Sequence, residues 1–389
     1  MFMLRRLLRI GGLVVPFMLA GCASSPPRTP VPTLPPTSSS SGAIHIGPSE
    51  PGPSDEPSST TLPDGRLRPD VDNFARDLAA RRDLPLDQVL ASLSGARYSA
   101  TVARLIMPSV PGHKVWRSWL TYRSRFVEPR RIRWGAEFWR ENAAALNQAQ
   151  QRYGVPAKII AGIIGVETLY GRNMGSFRVI DALSTLAFDY PVPDKPDRAA
   201  MFRGQLGDFL TLALQGRLDI DTRGSYAGAI GMPQFMPRSI MQYAVDSSGN
   251  TGGHIDLAND PAAAIMSVGN YLAQHGWVRG VPVFAPVRLP ADPSALVVGG
   301  LAPTMSWDQL QADGARLAPG AQAGRWGQQR LGIVDLDEEA RGTAQYRTGT
   351  PNFFAITQYN HSYFYATAVS DLADAVAQQV GPILAGSGL

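Results

Sequence analysis

The stretch VPAKIIAGIIGVETLY, from Val155 to Tyr170, constrains this chain more than any other. Pro156 suits the first turn of a helix, where its missing N–H costs nothing. Ala157, Ile159, Ile160, Ala161, Ile163, Ile164 and Val166 are apolar almost all the way round, so the spacing predicts a helix buried on every side. A buried helix of this kind must be the centre of a sizeable core. It ends in a carboxyl group, Glu167, with Gly171 just beyond as a stop. Apolar walls and the negative end of the helix dipole both disfavour a carboxylate there, and a raised pKa is what a general acid near neutral pH needs. The plainer alternative is a core-edge Glu satisfied by a hydrogen bond or by an arginine such as Arg172.

The ends of the chain carry a second kind of information. Arg5, Arg6 and Arg9 precede an apolar run from Ile10 to Ala20, too short to span a bilayer but suited to a secretory signal peptide covering residues 1–21. Leu19-Ala20-Gly21-Cys22 resembles a bacterial lipobox, at which Cys22 would be lipidated and become the mature N-terminus. Cys22 is the only cysteine, so an internal disulfide is excluded and a lipid-bearing role accounts for it better. Ala23 follows where inner-membrane retention typically uses Asp, which points to an outer-membrane anchor with the protein facing the periplasm. Residues 22–69, rich in Pro, Ser, Thr and Gly, read as a disordered tether.

The folded part is expected over residues 70–389. Helices are predicted from Val71 to Leu93 with a break near Pro85, from Gly135 to Tyr153, from Asp181 (as N-cap) to Phe188, from Met201 to Leu214, after Asp260-Pro261, and from Ala366 to Val380. The segment from Trp116 to Phe126 alternates aromatics and arginines, either a helix with its aromatics turned inward or a platform for sugar rings. Gly224 to Pro237 sets small turn-formers beside Tyr226, Met232, Gln234 and Phe235, which suits backbone lying close to a ligand. From about 281 to 336 the pattern shifts to short alternating segments, predicting a small β-rich subdomain. The fold class is therefore mainly α with a minor β part (α+β). The net charge of +4 is scattered, unlike the clustered basic face of a nucleic-acid-binding protein.

Three elements, Gly165-Val166-Glu167-Thr168 with Gly171-Arg172, Ser225 to Gly231 with Gln234-Phe235-Met236-Pro237, and Ile356 to Ser362, resemble the lytic murein transglycosylase B family in sequence and in order. The likeness runs from about Val71 to the C-terminus. It implies a lysozyme-like helical core with a groove for the glycan strands of peptidoglycan, and Glu167 as its acid. It implies contacts from Ser225, Gln234, Tyr359 and Tyr122, with Ser225 and Tyr359 positioning Glu167 or the sugar N-acetyl group. Cell-wall synthases are conceivable partners. In the reaction so implied, Glu167 protonates the oxygen between MurNAc and GlcNAc, then takes the proton of the MurNAc 6-hydroxyl as that oxygen attacks C1. A second carboxylate, for which Asp219 and Asp221 are the nearest candidates, would make a lysozyme-type hydrolase the better reading. A non-catalytic peptidoglycan-binding lipoprotein is the third. Gln205 departs from the pattern, where Glu is expected.

No cofactor is required by this chemistry. The loop from Asp246 through Ser248 and Asn250 to Asp260 alternates oxygen ligands as calcium loops do. It departs from the EF-hand pattern at Thr251 and Leu257, and Ala263 stands where family members with a calcium loop close it with Asp. A turn-rich polar loop is the favoured reading, calcium the lesser one.

Overall fold

A computed structural model describes residues 60–107 and 116–381. The signal segment, Cys22 and most of the tether lie outside these residues. Fourteen helices dominate the described part: α1 (Pro69–Arg82), α2 (Leu86–Ser94), α3 (Ala100–Ile106), α4 (Trp119–Ser124), α5 (Pro129–Glu141), α6 (Ala143–Tyr153), α7 (Ala157–Thr168), α8 (Val179–Phe188), α9 (Pro196–Leu214), α10 (Pro237–Tyr243), α11 (Pro261–Gln274), α12 (Trp307–Ala312), α13 (Pro351–Thr357) and α14 (Tyr363–Val380). Three antiparallel pairs accompany them: β1 (Phe177–Arg178) with β2 (Arg223–Gly224), β3 (Val287–Arg288) with β4 (Arg316–Leu317), and β5 (Gly332–Glu338) with β6 (Thr343–Gly349). None of the described helices is long and apolar enough to cross a membrane.

The stretch that opened the sequence reading is the central helix. α7 packs against α5, α6, α11 and α14, and Ile159, Ile160, Ile163 and Ile164 are essentially without solvent contact. Burial of each such side chain contributes about 2 kcal/mol. Pro156 sits one position earlier than expected, as the residue flanking the helix, and the free N–H of Ala157 is taken by Gln150 Oε1 at 2.7 Å. The other end is closed by Leu169 in the left-handed conformation, at φ 53°, ahead of the expected Gly171.

Several boundaries differ from the sequence reading. The helix expected from Gly135 to Tyr153 is two helices, because Asn142 leaves helical geometry (φ −115°, ψ 24°) and its amide bonds back to Phe138 O at 2.9 Å. Asp181 does not cap α8. It lies inside the first turn, where Arg178 pairs with it at 3.0 Å. The tether ends sooner than residue 69: Thr60 is fully buried, its hydroxyl donates to Ala96 O at 3.1 Å, and Thr61 bridges Leu67. The segment 281–336 has its own small core of Val281, Trp307, Leu310, Trp326 and Leu331, but little strand. Its one strand pair lying wholly within it is two residues long, since Pro282, Pro286, Pro290 and Pro293 remove the donors that a ladder needs. The long hairpin, β5–β6, straddles its C-terminal end.

Candidate active site

Glu167 stands in the last turn of α7, walled by protein yet half-buried rather than sealed, as a carboxyl at the floor of a groove would be. Desolvation pushes its pKa up to about 7, against the opposing effect of one hydrogen bond. That bond comes from Tyr365, whose hydroxyl donates to Glu167 Oε1 at 2.5 Å. Tyr365 is itself buried, in the first turn of α14, where the Ser362 side chain accepts its N–H and starts the helix.

Around the acid stands a group of phenols. Tyr359 stacks on Tyr365, with ring centres 6.2 Å apart, and meets Tyr271 at 4.9 Å. Its hydroxyl donates to Pro233 O at 2.6 Å, which holds it against the glycine-rich loop. Tyr122 lies on α4 between Phe126 and Phe364. Burial first, and then the neighbouring Glu167 charge, push the phenols of Tyr122, Tyr359 and Tyr365 above their ordinary range. These groups stay neutral donors at any pH the protein meets. Of the aromatic stretch before them, Trp119 is fully buried, as the inward-turned reading expects, while Trp116 and Leu120 are exposed.

The glycine-rich loop is fastened to the end of α7. Thr168 Oγ1 donates to Met232 O at 2.8 Å, and the Met232 N–H to Leu257 O at 2.8 Å. Gly231, at φ 70°, could carry no side chain, because a Cβ there would meet the Leu257 backbone. Gln234 takes a left-handed φ of 50°, and its amide donates to Met174 O and Gly231 O at 3.2 and 3.0 Å. The Ser225 Oγ accepts the Ala229 N–H at 3.0 Å, which closes its own turn and leaves its O–H to donate. Of the sequence-predicted residues, Tyr359 and Tyr122 are brought to Glu167, Gln234 joins the two loops beside it, and Ser225 closes the turn to Ala229. The hydrogen bond on Glu167 is made by Tyr365, which sequence reasoning missed. The serine three residues ahead of it was the available signal, a helix N-cap that starts α14 at Tyr363.

Of the two partners a purely structural Glu167 would use, the hydrogen bond is present, from Tyr365, and the arginine is not. Arg172 turns away to Glu137, at 3.6 Å, and to the Trp134 ring. Asp221 is paired with Arg178 at 2.9 Å, and Asp219 Oδ1 accepts the Asp221 N–H, so neither is committed to Glu167.

The family model described as Transglycosylase SLT domain matches residues 66–374. The chain belongs to this transglycosylase family. It is 39% identical over 373 residues to the membrane-bound lytic murein transglycosylase B of Escherichia coli K12, covering 92% of this chain and 95% of that protein. Its fold is similar to that of the catenated lytic transglycosylase SltB1 of Pseudomonas aeruginosa, with a TM-score of 0.70 and 39% identity over 81% of this chain and 99% of that one. SltB3 of Pseudomonas aeruginosa, in complex with NAG-anhNAM-pentapeptide, is similar at a TM-score of 0.64 and 27% identity, covering 78% and 77% of the two chains. The lysozyme-like helical architecture of this SLT-family chain agrees with that of these structures.

Two departures can now be placed. Gln205 Oε1 accepts the Arg238 N–H at 3.1 Å, beside the pairs that Arg82 and Arg238 make with buried Asp208. Its role is to support that network. The loop at Asp246 is braced by its own backbone. The Asp246 carboxylate accepts the N–H groups of Ser248 and Asn250, Asp256 those of Ala258 and Asn259, and Asp260 caps α11.

Proposed function

We propose that this transglycosylase cleaves the MurNAc–GlcNAc bond of peptidoglycan with Glu167 alone as acid and then base. The observation that carries this reading is the setting of Glu167: a carboxyl with a pKa of about 7, hydrogen-bonded by a phenol rather than paired with a second carboxylate. At neutral pH a large fraction is protonated and able to give its proton to the glycosidic oxygen. The bond from C1 to that oxygen breaks, and the carboxylate left behind is stabilised by the Tyr365 hydroxyl. The MurNAc 6-hydroxyl then attacks C1 and passes its proton to Glu167. The product is a 1,6-anhydro end, no water is consumed, and the acid is restored. Tyr359, Tyr122, Gln234 and Ser225 are the substrate contacts in this reading, supported by the position of Tyr359 and Tyr122 beside Glu167. The similarity to a membrane-bound relative, together with Cys22, supports an outer-membrane lipid anchor facing the periplasm, where synthases work on the same strands.

Mass spectrometry of the soluble products released from purified sacculi tests the reaction. Anhydro-MurNAc ends are expected. Reducing ends, heavier by one water, would replace this reading with hydrolysis. Unmodified Cys22 in the mature protein would remove the anchor.

The phenol gives a separate expectation. Tyr365→Phe deletes the one contact that lowers the Glu167 pKa, so the acid should stay protonated to higher pH. The alkaline limb of the activity profile should move up while the maximal rate falls roughly tenfold, because the carboxylate formed in mid-reaction loses its donor. An unmoved limb in a pH–rate profile would show that the hydrogen bond is not felt by the acid.

A further inference from the structure

The outward stripe of α5 is unlike an ordinary solvated helix face. Arg130, Arg133, Trp134 and Glu137 follow the spacing i, i+3, i+4, i+7 and so share one side of the helix. The guanidinium carbons of Arg130 and Arg172 stand 5.1 and 4.6 Å from the centre of the Trp134 ring. A solvated helix would put a carboxylate at i+4 from Arg130, but Trp134 occupies that place. Among the described residues, the Arg130 guanidinium has no carboxylate in ion-pair range, and Arg172 has only exposed Glu137 at 3.6 Å. Two cations share one indole; Glu137 stands 3.6 Å from Arg172 and Glu128 accepts the Arg130 N–H, which leaves the Arg130 guanidinium itself open to an added anion.

The stripe is joined to the helix end that carries the acid. Arg172 is five residues past Glu167 and is held to the helix end by its N–H on Leu169 O, at 3.4 Å. α5 grips the same end, where Arg131 Nη1 donates to Gly165 O at 2.5 Å.

We propose that Arg130, Trp134 and Arg172 bind the carboxylates of the peptide stems carried by the glycan. This rests on the glycan-cleaving reading of Glu167. Guanidinium forks match carboxylates in geometry and charge, and the indole offers an apolar floor to the stem backbone between them. An extended stem gains about 3.3 Å per residue, so three residues reach about 10 Å from the sugar that bears them.

The test uses the protein with Glu167→Gln, so that ligands survive, and calorimetric binding of three glycan oligomers: with stems, stripped of stems by an amidase, and with the stem carboxylates amidated. Stem-bearing oligomers should bind about tenfold tighter than the other two. Arg130→Gln and Trp134→Leu should each collapse that ratio towards one, with the stripped oligomer reporting that the groove is still folded. Equal affinities for all three ligands, or a ratio that survives both substitutions, would overturn the proposal. Failure to bind any oligomer would count against the glycan reading instead. The free stem peptide then decides the stem site, by binding that Arg130→Gln abolishes or by no binding.

Discussion

Glu167→Gln is expected to lower the release of anhydro-ended fragments from sacculi by roughly a thousandfold or more, since no other group is placed to supply the proton. The same substitution should raise stability, in a pH-dependent way. In the folded protein the Glu167 pKa is about 7, against 4.5 for the free group. As pH rises through this window the unfolded chain releases its proton first, so the folded state, which holds it, loses stability between about pH 4.5 and 7. Below that window the protonated acid and Gln are near-equivalent. Above it the wild type carries a desolvated carboxylate that Gln removes, a difference of up to about 3 kcal/mol. Denaturant melts of both proteins at acid and mildly alkaline pH check this: stability curves that run parallel would mean that Glu167 is not desolvated.

Gly165→Ala should be the more damaging change to the fold, although alanine is the better helix former by about 1 kcal/mol. A Cβ at 165 would run into the hydroxyl and ring of Tyr170, which is 5% exposed and folds back under the helix. Tyr170 can do so because it and Leu169 both take left-handed conformations, at φ 60° and 53°, and because Gly135 on α5 clears the other side of its ring. No slack remains for the added methyl, so overpacking should cost about 2–3 kcal/mol net and drag the Glu167 turn out of register. The Tyr170 hydroxyl is buried with no hydrogen-bond partner among the described residues. Tyr170→Phe alone should therefore be neutral or stabilising, and should restore part of what Gly165→Ala loses. A Gly165→Ala protein with an unchanged melting midpoint and full activity would show the helix end to be looser than the packing implies.

The parts of the site legible in the sequence are those whose physics is local. An unbroken apolar periodicity ending in one carboxyl located α7 and Glu167, and the turn-formers from Gly224 to Pro237 located the loop that clasps it. Tyr365 was not legible, since the bond it makes spans 198 positions and nothing near Tyr365 says what its hydroxyl will face. The break at Asn142 was missed because no Gly or Pro marks it, only an amide that competes with the helix for a carbonyl. The alternation after Val281 suggested strands, and prolines at nearly every fourth position prevented them from pairing at length. The order beginning at Thr60 was hidden by composition: a Ser/Thr/Pro-rich run reads as linker even where one of its hydroxyls hooks the core.

The partnership between Glu167 and Tyr365 also sets a timetable. A ribosome lays down α7 long before α14 exists, so a nascent chain has its proton donor early and the donor's support late. α14 also carries Asp371, which ties Arg123 of α4 and Arg347 of β6 at 2.6 Å each. Docking of this one terminal helix thus joins the acid, the Tyr122 helix and the hairpin in a single step. Until α14 is made and docked, the acid stands without the hydroxyl that supports it.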